Sequence, residues 1–469
     1  MHSKGFGDLT CAFRIAQNAK NQVVTQYTIV TKRYIFCAKH HNICTEIMMK
    51  RHTTALLLFA LCLVALVGRA QNNTNSPYTR FGYGQLNDGN FGRSQGMGSV
   101  GYGIRHKASI NVTNPASYSC IDSTSFLFEI GVSGLLSHFK SGDAQNRRFT
   151  ANFEYMALQF PITRWMGMSI GMIPYSFVGY NYGFSDSTTM PGHPGDTAGI
   201  HTTQLFSGLG GINQAFAGLS FDLWNRIAIG ANFYYLFGNI DHYRYLNTTY
   251  SANTIYNSIY KSNLHVNSFN MRFGLQYHQP IGKKHMLTVG AIYEFKSPLG
   301  ATVETSAIAV DTVVEVMTQH TFELPSVYGG GISYIYDNRL TVGADFTLQD
   351  FAHAKFYGTT DSLHNRIRAC LGAEYIHNPM GQRYIDRMLW RVGANYTQSY
   401  INVKGQHTND FSLTCGFGFP LRTIKSIINF NFEYGHIGSQ AAFMLKENYF
   451  RMGLNISINE NWFFKQKIK

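Results

Sequence analysis

The sequence predicts an all-β fold: a transmembrane antiparallel β-barrel of about 14 strands, with an N-terminal hatch (plug) inside the lumen. Three observations carry this prediction. Side chains alternate with period two over long runs. From His285 to Lys296, Leu287, Val289, Ala291, Tyr293 and Phe295 oppose Thr288, Gly290, Ile292, Glu294 and Lys296. Connections alternate between short turns and longer loops, the rhythm of a barrel with one turn end and one loop end. Phe and Tyr together number 64 of 469 residues, while charged residues are only 14%, against roughly 25% in ordinary soluble proteins.

The elements follow in chain order. "TTALLLFALCLVALVG", Thr53 to Gly68, is the single long apolar run; Lys50-Arg51 precedes it and Gly68-Arg69-Ala70 ends it. A basic flank, a short apolar segment and a small-x-small end describe a secretory signal peptide over 49–70, with cleavage near Ala70 leaving Gln71 first. Residues 1–48 are then expected to be a misassigned upstream extension, because Met48 and Met49 stand where a start belongs. Cys62 lies inside the apolar run, which argues against a lipoprotein site. Removing 1–70 takes away nine of 39 basic and two of 26 acidic residues, leaving 30 and 24, a net of +6. These charges are scattered rather than gathered in a stripe, so no nucleic-acid partner is expected. Three cysteines remain, Cys120, Cys370 and Cys415. Their odd number and wide spacing form neither a disulfide framework nor a metal site. No cofactor and no metal are expected.

Residues 71–122 precede the first strand and are rich in glycine and turn formers. Gly96-Met97-Gly98-Ser99-Val100-Gly101 matches G-x-G-x-x-G in form. No apolar strand leads into it, and Gly103 and Asn114-Pro115 leave no room for a crossover helix, so the nucleotide reading fails on context. A barrel of 14 strands is too wide to fill with side chains alone. The segment is too short for a domain, and its economical place is inside the barrel, where glycine lets backbone press against the wall.

Residues 123–469 read as the barrel. Strands are expected near 123–138, 149–160, 166–184, 203–222, 227–246, 265–280, 286–296, 313–335, 340–356, 363–377, 389–403, 408–420, 427–438 and 448–464. The segment 313–335 is taken as one long strand; two strands there would make 16. Phe126, Phe128, Ile130 and Val132 oppose Ser125, Glu129 and Ser133, and Met166, Met168, Ile170 and Met172 oppose Gly167, Ser169 and Gly171. A secreted β-sandwich or propeller would also alternate. The turn-and-loop rhythm, the aromatic excess and strands longer than the usual five or six residues favour the barrel.

At Gly92-Arg93, the spaced glycines and above all Asn114-Pro115-Ala116, shortly before "TSFLFEIGVSG", the sequence resembles the long-chain fatty acid transport porins of Gram-negative outer membranes (FadL-type). The stretches 208–238 and 322–346 also look like that family. The resemblance implies a 14-stranded barrel with an N-terminal hatch, carrying fatty acids or other hydrophobic small molecules, with a lateral exit at a break in the third strand. It implies contact with outer-membrane lipids and no enzymatic role. The basic tail "KQKIK" departs from an aromatic terminus.

The residues have their own reading beside this. Asn before Pro fixes a turn, which either redirects the chain into strand one or also ties the hatch to the wall. The hatch glycines are Gly92, Gly96, Gly98 and Gly101. Pro174, flanked by Gly171 and Gly179, lies mid-strand, where a missing donor suits a bulge or a broken ladder; it is the candidate gate. Lys296 and Arg272 on the lumen side are candidates for meeting a ligand carboxylate. Two further functions stay open: a non-transporting outer-membrane barrel serving as a surface scaffold or secretion-system accessory, and an outer-membrane lipase. Ser99 lacks the G-x-S-x-G setting that the lipase needs.

Overall fold

A computed structural model describes residues 74–189, 199–250, 254–309, 312–318, 321–361, 363–403, 405–421, 426–438 and 445–461. The expected extension (1–48), the signal peptide (49–70), the first hatch residues and the terminal KQKIK lie outside them.

Fourteen antiparallel strands form the barrel: β1 (Ser125–Ser141), β2 (Ala144–Pro161), β3 (Met166–Thr189), β4 (Gly199–Leu223), β5 (Ile227–Tyr250), β6 (Thr254–Ile281) and β7 (His285–Glu294). The second half is β8 (Ser326–Tyr336), β9 (Leu340–Asp350), β10 (Arg366–Ile376), β11 (Leu389–Val403), β12 (Gln406–Pro420), β13 (Ile427–Gly438) and β14 (Lys446–Asn461). Each pairs with its sequence neighbour, and β14 closes on β1 from Asn461↔Ser125 to Lys446↔Lys140. Closure leaves no free edge around the ring at the turn end, as lipid requires.

The period-two pattern sets the two faces. On β7, Thr288, Gly290, Ile292 and Glu294 are buried in the lumen while Val289 and Ala291 are exposed. Outward positions on other strands carry large apolar residues, among them Phe233, Phe346, Leu371, Leu413 and Tyr434. These form the lipid-facing wall. At the turn end, Trp224-Asn225 and Asp337-Asn338 take positive φ at both residues, the backbone of a tight hairpin turn matching the strand twist. No described helix is long and apolar enough to cross a membrane.

One expected strand is corrected. The span 313–335 is three pieces: Thr312–Thr318, Phe322–Leu324 and β8. Pro325 interrupts it, having no N–H to give a ladder. The expected loop 297–312 likewise contains strands. Ala301–Ala309 pairs with Thr312–Thr318 as a hairpin and lies along the outer half of β6, Ala301↔Val266 to Ala309↔Ser258. Ser297–Leu299 pairs with Phe322–Leu324. The count of 14 survives because none of these pieces enters the ring.

The wall is uneven. Strands β3 to β6 run 24 to 28 residues, although about 9–11 suffice to cross a bilayer. They rise beyond the crossing as a blade at the loop end, while β7 to β10 have only 10 or 11 residues.

The lipid-facing assignment gives a first prediction. Leu413 is 54% exposed in the middle of β12. Leu413→Arg should destabilise the barrel refolded in phospholipid vesicles by about 2–4 kcal/mol in denaturant titrations. Trp224→Arg, at an exposed turn, should change it little.

Candidate functional site

The site is the hatch and the part of the wall it meets. Residues 74–122 run through the lumen as short irregular pieces: a 3-10 turn at Pro77–Arg80, a two-residue strand at Gln85–Leu86, one helical turn at Gly92–Gln95 and a 3-10 helix at Pro115–Cys120. Most of these residues are buried.

Glycine against glycine brings the hatch backbone onto the wall. Gly343, Gly372 and Gly393 are direct cross-strand neighbours on β9, β10 and β11, and the loop Gly96–Gly101 lies over them. A Cβ on Gly372 would stand 2.1 Å from the Met97 carbonyl oxygen, and one on Gly393 2.1 Å from the Gly98 nitrogen. From the other side, Gly98 has φ +65°, and a Cβ there would meet the Leu371 oxygen at 2.4 Å. Neither partner tolerates a side chain. A second patch does the same for the end of the hatch. Gly230 and Gly274 are cross-strand neighbours; a Cβ on Gly230 would press on Ala116 and one on Gly274 on Asn114. The G-x-G-x-x-G run thus serves close packing of hatch backbone on the wall.

Lumen-facing charges complete the fastening. Asp345 accepts from the backbone N–H groups of Gly101 (2.6 Å) and Tyr102 (2.9 Å). Glu129 accepts from Ile110 N–H at 2.9 Å. Arg93 pairs with Glu374 at 2.6 Å, and Arg391 holds the other oxygen of that carboxylate at 2.7 Å. Asp88 meets Arg366 at 2.7 Å and Arg368 at 3.3 Å. Those arginines outweigh burial and hold the Asp88 carboxyl down at about 2. Arg105 reaches Asp222 and the Ala116 carbonyl.

Asn114 is fully buried in the lumen. Its Oδ1 accepts from Ala116 N–H (3.1 Å), and its Nδ2 donates to the carbonyls of Tyr102 (2.9 Å) and of Leu275 on β6 (3.2 Å). Pro115 follows as the first residue of the 3-10 helix, where its missing N–H costs nothing. Gly92 donates its N–H to Tyr155 Oη at 2.8 Å, and Gly101 to Asp345. Arg272 pairs with Glu294 and donates toward the Thr113 carbonyl at 3.4 Å. Lys296 lies beyond the end of β7, paired with Glu323 at 2.8 Å. Both cations therefore already face a carboxylate.

The second feature is a seam. The ladder between β2 and β3 covers only Met156↔Met172 to Pro161↔Gly167, whereas β3 pairs with β4 along its whole length. Pro174 stands two residues past the last β2 pairing, at a bulge where the register with β4 slips between Pro174 and Ser176. The slip reverses the faces of β3: Gly167 and Ser169 point inward before it, Ser176, Val178 and Tyr180 after it. Gly171 lies on the paired side, opposite Ala157 and Phe216. Beyond the bulge the hatch stands in for β2. Gln85 and Leu86 pair with Phe177 and Ser176. Asn87 N–H donates to the Tyr175 carbonyl (2.9 Å), and Thr79 Oγ1 exchanges bonds with Gly179 N–H and C=O.

Two cavities flank this hatch segment. The inner one, about 150 Å³, has a mixed lining, with Asp88, Asp410, Glu433 and Arg366 beside Leu135, Phe177, Ile401 and Phe432. The outer one is an open vestibule of about 740 Å³ between the β1–β2 hairpin and β3, with Tyr78, Phe81, Phe139 and Tyr182 on its walls. No group of acidic, histidine or cysteine side chains suited to a metal ion occurs among the described residues.

The sequence pointed to the hatch, its glycines and Asn114. It missed Asp345, Glu374, Arg391, Arg366 and the wall glycines. Their signal was present as charges and glycines on the inward phase of β9, β10 and β11.

A family model described as BamG matches residues 48–469. No curated protein matches. Among solved structures, the Ralstonia pickettii toluene transporter TbuX is 15% identical, covers 79% of this chain and 98% of its own, with a TM-score of 0.54. The P. putida toluene transporter TodX is 14% identical, at 81% and 100% coverage, TM-score 0.53. A Pseudomonas aeruginosa FadL homologue is 12% identical, at 80% and 98%, TM-score 0.51. These similarities establish a shared barrel fold. The FadL-type resemblance thus stands for the fold, while the family match is to BamG.

Two predictions follow from the fastening. Gly393→Val should expel the loop around Gly98 and open the hatch to added protease, whereas Gly330→Ala, on the outer face of β8 with open space around it, should leave it resistant. His106 sits half-buried near Arg93 and Arg391, lining a small cleft with them. Burial first, then the Arg93 charge, push its imidazole down to about 3. A released His106 would titrate near 6.5, so the released state takes the proton first and is favoured as the pH falls. Hatch protection should be complete above about pH 6.5 and decline toward pH 3, and His106→Asn should flatten that decline in protease-resistance curves.

Proposed function

This chain belongs to the BamG family, and from that premise we propose that it is a non-catalytic outer-membrane barrel whose bore stays shut. It reaches the outer membrane after signal-peptide cleavage near Ala70 and acts there as a surface scaffold or secretion-system accessory. The observation that carries this reading is the hatch backbone lying on wall glycines, with the buried Arg93–Glu374 pair and the half-buried Arg105–Asp222 and Asp88–Arg366 pairs around it. Stranding one partner of a buried pair costs about 3–5 kcal/mol. A buried methylene returns about 0.8 kcal/mol. A toluene-sized ligand returns about what stranding one partner of the Arg93–Glu374 pair would cost, with little left for the two half-buried pairs. A long acyl chain must displace those pairs together with the Asp345 bonds and the glycine contacts.

A second reading is favoured by the seam. A hydrophobic small molecule, fatty-acid-like or aromatic, would enter the vestibule and leave sideways between β2 and β3 past Pro174, without passing the hatch. The similarity in fold to TodX and TbuX, both toluene transporters, supports it. On this reading Gly171 and Gly179 let the chain bend beside the opening, and Arg272 or Lys296 would have to exchange its carboxylate partner for that of a ligand.

One comparison separates the two. Vesicles carrying the wild-type barrel should take up labelled toluene and palmitate no faster than empty vesicles, and planar bilayers should show no conductance. Deletion of residues 74–122 should open a steady conductance. Wild-type uptake above background that a bulky substitution at Gly179 abolishes would establish the second reading instead.

A further inference from the structure

Among the described residues, the outer half of β3 is a strand edge left open. Past Gly179 no described residue pairs with it on the β2 side. Tyr175 and Gly179 already use that side to bond the hatch. Alternate residues of a strand direct their N–H and C=O the same way, so Asn181, Gly183, Ser185 and Ser187 present theirs to the open side as well. About ten residues carry a strand across the hydrocarbon. This part of β3, more than ten residues from Met166, therefore lies beyond it.

Free edges are normally blunted by lysine, proline, bulges or a cover. From Tyr180 to Thr189 the sequence is YNYGFSDSTT, with no Lys, Arg or Pro. The facing edge of β2 carries Arg147 and Arg148. One edge is guarded and the other is not. The vestibule beside the unguarded edge, about 740 Å³, includes Asn181, Tyr182 and Gly183 in its lining. Its walls mix Phe81, Phe139 and Leu445 with Gln145 and Asn146, and Arg148 is its single charge.

We propose that this edge binds an extended segment of a partner polypeptide by strand addition, continuing the pairing that the hatch begins at Ser176–Phe177. The occupant is a strand alternating apolar and polar residues, with an acidic residue to meet Arg148. Main-chain bonds to Asn181, Gly183 and Ser185 hold it, and the aromatic walls receive its alternate side chains. The inference rests on the accessory reading above and names the surface through which such a barrel engages its partner.

The test uses the full mature chain in nanodiscs and a fluorescein-labelled octapeptide alternating valine with threonine and glutamate. Anisotropy should rise and saturate. Proline at the open-side positions, Gly183→Pro with Ser185→Pro, removes two donors there without touching the β4 ladder and should weaken binding at least tenfold. N-methylation of alternate peptide residues should do the same, and heat-modifiable gel migration should be unchanged. Binding that survives both changes, or no saturable binding to the wild type, overturns the proposal. So does displacement by a short-chain phosphatidate with no effect of N-methylation, which would make the vestibule a lipid site. A sealed barrel that ignores the peptide leaves the accessory reading standing and removes this one; a conducting barrel that binds it does the reverse.

Discussion

A cylinder of 14 strands in lipid must satisfy its own backbone and also deal with a bore that side chains cannot fill. Here the close approach of hatch backbone to wall glycine meets both demands. Where Gly98 lies over Gly393 and the Met97 carbonyl over Gly372, the two main chains are at contact distance. No flexible side chain lies between them to give way. Everything else in the lumen is arranged around that contact: Asp345 takes the two N–H groups next along the loop, and Glu374 sits between Arg93 and Arg391.

The same constraint explains why the seam is tolerated. An unpaired strand edge in hydrocarbon is costly. At the level where β2 parts from β3, hatch residues 79–87 supply the missing partner. The Pro174 bulge re-aims β3 so that its inward face continues over the hatch. Hatch and seam are therefore one device, and a change to either is felt by the other. Beyond the seam the tall blade of β3 to β6 carries an edge unpaired among the described residues into the space outside.

Much of this was legible in the sequence where period two was strict. β1, β7 and the first half of β3 show their faces residue by residue, and the tight turns at Trp224 and Asp337 mark where β4 gives way to β5 and β8 to β9. The outer half of β6, from Thr254, was not legible: Asn, Ser and Lys interrupt its alternation until the buried Leu264 and Val266. The hairpin at 301–318 was missed as well. Asn114 was readable as a turn, but one of its partners is the Leu275 carbonyl, a backbone atom that leaves no mark on the sequence. Arg93 and Glu374 stand 281 residues apart; a single chain shows each charge and nothing of their meeting.

Amide hydrogen exchange of the nanodisc-embedded protein tests the central claim most directly. The amides of Gly98, Gly101 and Tyr102 should exchange as slowly as those in the middle of β9 to β11, because releasing them requires prising two backbones apart. Exchange of those amides within minutes, while the strands stay protected for hours, would show a hatch that opens on its own, and the account of a permanently closed bore would be wrong.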